Sequence, residues 1–111
     1  FTAVDTYTTA NLHSIGWDIE GTKALIVGGI GTVLQYHHSS GKIYWLGQNI
    51  QLEDIAWKSD NSYGLIVGYG GLCLGYDGID FEVLNMSLGF NAFAVDWKPG
   101  NQEATIVGSE G

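Results

Sequence analysis

The chain has 111 residues, 45% of them hydrophobic, enough for one small domain with a buried core and too apolar for a disordered segment. Twelve acidic residues against four lysines and no arginine give a formal net charge of −8, which repels nucleic-acid phosphates and anionic lipid. No apolar run approaches the roughly 20 residues a bilayer span needs, so neither nucleic acid nor membrane is an expected partner.

In chain order, short apolar and β-branched runs alternate with turn residues. Residues 1–6 read as a strand, followed by strands at 12–19, 23–28, 32–36 and 42–46. The same series then recurs at 52–59, 63–68, 72–76 and 81–86, and its first two members return at 92–98 and 103–108. Turn signals stand between them: Glu20-Gly21-Thr22, Asp60-Asn61-Ser62 and Pro99-Gly100-Asn101 after the first strand of each unit, then 28–31 and 68–71 after the second. Connections this short join antiparallel neighbours, and no segment carries the length and caps of a helix.

The recurrence is exact in places. Trp17, Trp57 and Trp97 are forty residues apart, and each precedes an Ile-Val-Gly triplet at 26–28, 66–68 and 106–108. A period near forty with four short strands per unit is the signature of a propeller blade. The expected fold is all-β: β-propeller blades of four antiparallel strands in an incomplete ring, about 2.75 blades in this chain. Residues 1–111 form a single propeller segment on this reading, with 1–10 the outer strand of a preceding blade, 11–50 and 51–90 whole blades, and 91–111 the first two strands of a further blade. Such a ring needs further blades, from the rest of a parent chain or from other subunits, to cover its apolar ends.

Ser14-Ile15-Gly16-Trp17-Asp18, Ala24-Leu25-Ile26-Val27-Gly28 and Gly31-Thr32-Val33-Leu34-Gln35-Tyr36 together resemble a WD40-like (YVTN-like) propeller repeat of the divergent prokaryote type. Asp96-Trp97-Lys98-Pro99-Gly100 is similar to the turn after a WD40 inner strand, and Tyr76-Asp77 stands where that family carries Trp-Asp. The family's Gly-His pair is absent, with Asn11-Leu12-His13 and Gln51-Leu52-Glu53 in its place, so its structural hydrogen-bond network does not carry over. The Ile-Val-Gly-x-x-Gly run is also similar to the repeats of photosystem-assembly-factor and sortilin-like propellers, although their Asp-box is degenerate in residues 37–44. The resemblance implies a non-catalytic scaffold that binds protein or peptide; a carbohydrate-binding or sugar-processing propeller, and a structural subunit whose partial propellers assemble into a ring, stand as alternatives.

The chemistry-bearing residues are few. Glycines 28, 29, 31, 70 and 71 lead into strands rather than helices, which makes them turns and not a phosphate loop. The imidazoles are His13 and the adjacent His37 and His38, which point to opposite faces of a strand and suit an exposed turn better than a metal. Glu53-Asp54, Asp77 and Asp80 lack the spacing of a calcium loop, and no catalytic signature surrounds any serine, so no metal, cofactor or catalytic residue is expected. Cys73 takes the place of Val33 in the period, as a buried thiol would, and leaves the compartment open.

One column of the repeat is suggestive. Position 11 carries an amide in every copy, Asn11, Gln51 and Asn91, just before the innermost strand, where propellers place ring-facing loops. These three, with Asn49 and Tyr69, are the expected binding residues. Trp17, Trp57 and Trp97, with Gly28, Gly68 and Gly108, are the expected structural repeat, the tryptophans filling the space between blades.

Overall fold

The computed structural model describes residues 8–37, 50–60, 62–84, 88–100 and 102–109, and residues 40–45 as backbone. The strand expected at 1–6, with His38 and Asn49, lies outside the described residues.

Three antiparallel sheets follow one another along the chain. The first has β1 (Leu12–Trp17), β2 (Lys23–Gly28), β3 (Thr32–His37) and β4 (Ser40–Trp45), hydrogen-bonded in sequence order. The second repeats the order with β5 (Leu52–Trp57), β6 (Gly64–Gly68), β7 (Cys73–Tyr76) and β8 (Phe81–Val83), and the third pairs β9 (Ala92–Trp97) with β10 (Ala104–Gly108). Two four-stranded meanders and a two-stranded one, stacked through their innermost strands, are propeller blades in an open arc.

Strand ends differ from the sequence reading at identifiable places. The inner strands close at Trp17, Trp57 and Trp97 rather than running to 19, 59 and 98. The Asp18 N–H already bonds across the hairpin to Lys23 carbonyl at 3.0 Å, while its carboxylate turns inward to accept from the Thr22 N–H (2.8 Å) and hydroxyl (2.6 Å). A short polar side chain that satisfies turn donors ends the strand. His37 is the last residue of β3, paired with Lys23 and Ser40, and not a turn residue; the strand reaches it because β2 offers a partner that far.

The blades bury their faces against each other. Leu25, Val27 and Val33 of the first blade meet Leu52, Ile55, Ile66 and Tyr76 of the second. The opposite face of the second blade packs Leu65, Val67 and Cys73 against Ala92 and Val95 of the third. Every residue of β6 is therefore buried, whereas in β10 burial alternates and Val107 is 54% exposed. The same β-branched run is fully or half covered according to how many blades flank it.

Inside each blade a tryptophan meets a tyrosine edge-on, Trp17 with Tyr36 and Trp57 with Tyr76 at centroid distances of 6.1 and 5.7 Å. Between blades, the Trp57 indole N–H reaches back to the Gly16 carbonyl (3.2 Å) and that of Trp97 to the Ala56 carbonyl (3.0 Å). Trp17, with no blade before it among the described residues, is 48% exposed.

Candidate functional site

Each inner strand opens with the same irregularity. Leu12 pairs with Gly28 but Ser14 with Val27, leaving His13 as an extra residue; Glu53 and Phe93 are extra in the same way in β5 and β9. A bulge of this kind bends the strand and re-aims its side chain. The carbonyl just before the bulge, of Asn11, Gln51 and Asn91, then accepts from the N–H of Gly29, Tyr69 and Ser109, each at 2.9 Å.

This arrangement explains the glycine of the Ile-Val-Gly triplet. A methyl group built on Gly28, Gly68 or Gly108 would fall inside contact distance of the carbonyl oxygen of Asn11, Gln51 or Asn91. The opposing atom is backbone and cannot swing aside, so the close approach admits only glycine.

The bulges gather side chains at one end of the arc. His13 Nδ1 lies 3.3 Å from Glu53 Oε2 across the junction of the first two blades, and Gln51 Nε2 donates to Glu53 Oε1 at 2.7 Å. Tyr69 packs edge-on against Phe93 with ring centroids 5.9 Å apart, and the Asn91 carboxamide accepts from the Gly70 N–H at 2.8 Å. Between the first two blades opens a cleft of ≈ 480 Å³ lined by Asn11, His13, Ile30, Ile50, Gln51 and Tyr69, with Thr9, Ala10 and Gly29 at its edge.

Of the five residues expected to bind, three, Asn11, Gln51 and Tyr69, line this one cleft. Asn91 does not: its side chain is engaged with the loop that carries Tyr69, one blade further round. Asn49 lies outside the described residues. The amide column is therefore not a ring of equivalent groups. What recurs strictly is its main-chain carbonyl, while the side chains of Gln51 and Asn91 take different partners.

The bulge residues carry no recurring residue type. His13, Glu53 and Phe93 occupy one column two places after the amides, but their chemistries differ, so a scan for recurring residue types does not register them. The sequence offers Asp54 only as a candidate calcium ligand. It instead accepts from the Ser14 hydroxyl at 2.5 Å and from the Val95 N–H at 2.9 Å, one carboxylate tying together all three blades. Asp77 holds a turn, accepting from the N–H groups of Ile79 and Asp80. Among the described residues no group of three or more His, Cys, Asp or Glu side chains is placed to hold a metal. Cys73 is fully buried, and that burial pushes its thiol pKa up, away from the thiolate a nucleophile needs.

Stacked four-stranded meanders with inner-strand bulges and inter-blade tryptophans define a β-propeller segment. No family model and no curated protein matches the sequence. Solved structures do match in fold: YCF48 from Cyanidioschyzon merolae aligns with a TM-score of 0.79 at 18% identity, over 97% of this chain and 37% of that one. YCF48 bound to D1 peptide aligns at 0.80 and 17% identity, over the same shares. The chain thus spans 37% of the length of these propellers.

Proposed function

We propose that this chain is a section of a WD40-like propeller that acts as a non-catalytic scaffold and binds a protein or peptide in the cleft between its first two blades. The observation that carries the reading is the convergence there of two carboxamides, Asn11 and Gln51, with Tyr69 and two isoleucines in a cavity of ≈ 480 Å³. A mixed wall of this kind, apolar with a few fixed hydrogen-bonding groups, suits a peptide segment. The neighbour YCF48 bound to D1 peptide supports it by showing that a propeller of this fold takes a peptide.

Further blades complete the scaffold on this reading, supplied by the rest of a parent chain or by other subunits. The exposed Ile15 and Trp17 on the leading face, and Val107 on the trailing one, stand where repeat-related residues elsewhere pack against the adjacent blade.

The test is a peptide-array screen of the purified chain beside Gln51→Ala and Tyr69→Ala. Peptide capture that both substitutions weaken supports the cleft. Capture unchanged by either would place the binding face elsewhere, and retention of glycans instead of peptides would favour the carbohydrate alternative.

A further inference from the structure

The hairpin between β2 and β3 has the wrong residue for its shape. The Thr32 N–H donates to the Gly29 carbonyl at 3.1 Å, and the two residues enclosed, Ile30 (φ 59°) and Gly31 (φ 64°), both lie in the left-handed region. The matching turn of the second blade, closed by Leu72 N–H on the Tyr69 carbonyl, encloses Gly70 (φ 70°) and Gly71 (φ 74°). Positive φ at both central positions is the requirement of a type I′ hairpin, met by glycine, asparagine or aspartate. A β-branched side chain there is strained, and Ile30 is the sole non-glycine residue with positive φ among the described residues.

Burial does not account for it. Ile30 is 53% exposed and stands on the wall of the cleft beside Ile50 and Tyr69. Glycine would form the turn with less strain, giving up only the covered half of the isoleucine. Strain held at the rim of a cavity points to what the cavity takes.

We infer that Ile30 is the specificity-determining contact of the cleft, and that the ligand is an extended, non-acidic peptide segment that sets an aliphatic or aromatic side chain against it. This deepens the peptide-binding reading and rests on it. The exposed carboxamide of Asn11 offers a donor and an acceptor to the peptide backbone; the Gln51 amide nitrogen is engaged with Glu53, which leaves its oxygen to accept a peptide N–H. The net charge of −8 disfavours acidic peptides.

The experiment is fluorescence polarisation of the full chain with labelled hexapeptides that differ at one central position, carrying Leu, Phe, Ala or Asp. Leu and Phe probes should bind more tightly than Ala and Asp probes. Ile30→Gly and Ile30→Asn, which relieve the strain, should melt at or above the parent temperature yet bind the Leu probe roughly tenfold more weakly, the scale of a lost aliphatic contact. Unchanged affinity in these variants, or variants that melt well below the parent, would overturn the assignment of Ile30 while leaving peptide binding in place. Failure of every probe to bind the parent chain would remove the peptide reading itself.

Discussion

Trp97 donates its indole N–H to the carbonyl of Ala56 at 3.0 Å, and the bond repeats one blade earlier from Trp57 to Gly16 at 3.2 Å. A lysine of the preceding blade lies over each indole, but from a different phase of the repeat: Lys58 is 4.9 Å over the Trp97 ring, and Lys23 is 5.8 Å over that of Trp57. A tryptophan thus serves each blade junction twice, as buried area and as a polar anchor on the neighbouring strand.

We expect Trp57→Ala to cost about 3–5 kcal/mol, from lost burial and the cavity left behind. Trp57→Phe, which keeps most of the area and loses the N–H, should cost about 1 kcal/mol for the hydrogen bond plus a small packing loss. Trp17→Ala should cost clearly less than Trp57→Ala, because half of that side chain is already in water. Urea unfolding of the three variants measures this order, and equal losses at Trp17 and Trp57 would contradict it.

Gly68→Ala should destabilise by about 1–3 kcal/mol, since the new methyl must displace the Gln51 backbone. The displaced carbonyl is the acceptor of the Tyr69 N–H, so Tyr69 should move with it. Loss of peptide affinity in a still-folded Gly68→Ala chain would register that coupling, and a variant as stable as the parent would show that the bulge tolerates a side chain.

Asp54→Ala removes the acceptor of both the Ser14 hydroxyl and the Val95 N–H. Leaving partly buried donors unpaired costs about 1–3 kcal/mol. Ser14→Ala deletes only one of these bonds and should cost less. Chemical denaturation of the two single variants and the double variant should reveal non-additivity, because both act on one carboxylate.

Asp18 supplies a pH dependence. Burial by itself would raise its carboxyl pKa, but donation from the Thr22 hydroxyl and from the N–H groups of Thr22 and Lys23, with the Lys23 charge, outweighs it and holds the group below its ordinary 3.8. A depressed carboxylate stabilises the fold above its unfolded pKa, and the contribution fades as pH falls through the lower folded value. Asp18→Asn should therefore melt below the parent near about pH 6, and the gap should narrow on acidification past about pH 4. A gap that is constant with pH would remove Asp18 from the acid response.

Much of this was legible because propeller blades are local. Strand order, the hairpin turns and the forty-residue period follow from runs of Ile, Val and Leu set between Gly and Asp-rich turns, and neighbouring strands pair with their sequence neighbours. The site was legible only in part. The amide column lies at the end of the blades where the cleft opens, yet the Asn91 side chain turns to the Gly70 backbone instead of the cleft. The meeting of His13 with Glu53 was hidden because a bulge, which alternation does not foretell, turns both toward each other. Compensation within a blade was hidden too: Tyr63 donates to Glu82 and lies over Gly75, where a side chain has no room, while the first blade carries Lys23 and Gln35 at those positions.

Residue order by itself determined that this protein would build repeated antiparallel sheets, since period, strand propensity and turn chemistry all act within a few residues. Only the tertiary structure decided which faces those sheets conceal. Ile66-Val67 is sealed on both sides between two blades, whereas Ile106-Val107, the same pair forty residues on, is covered on one side and half open on the other. Burial belongs to the neighbour and not to the residue, and the cleft follows the same rule: its walls come from two successive blades, Asn11, His13 and Ile30 from the first and Gln51 and Tyr69 from the second.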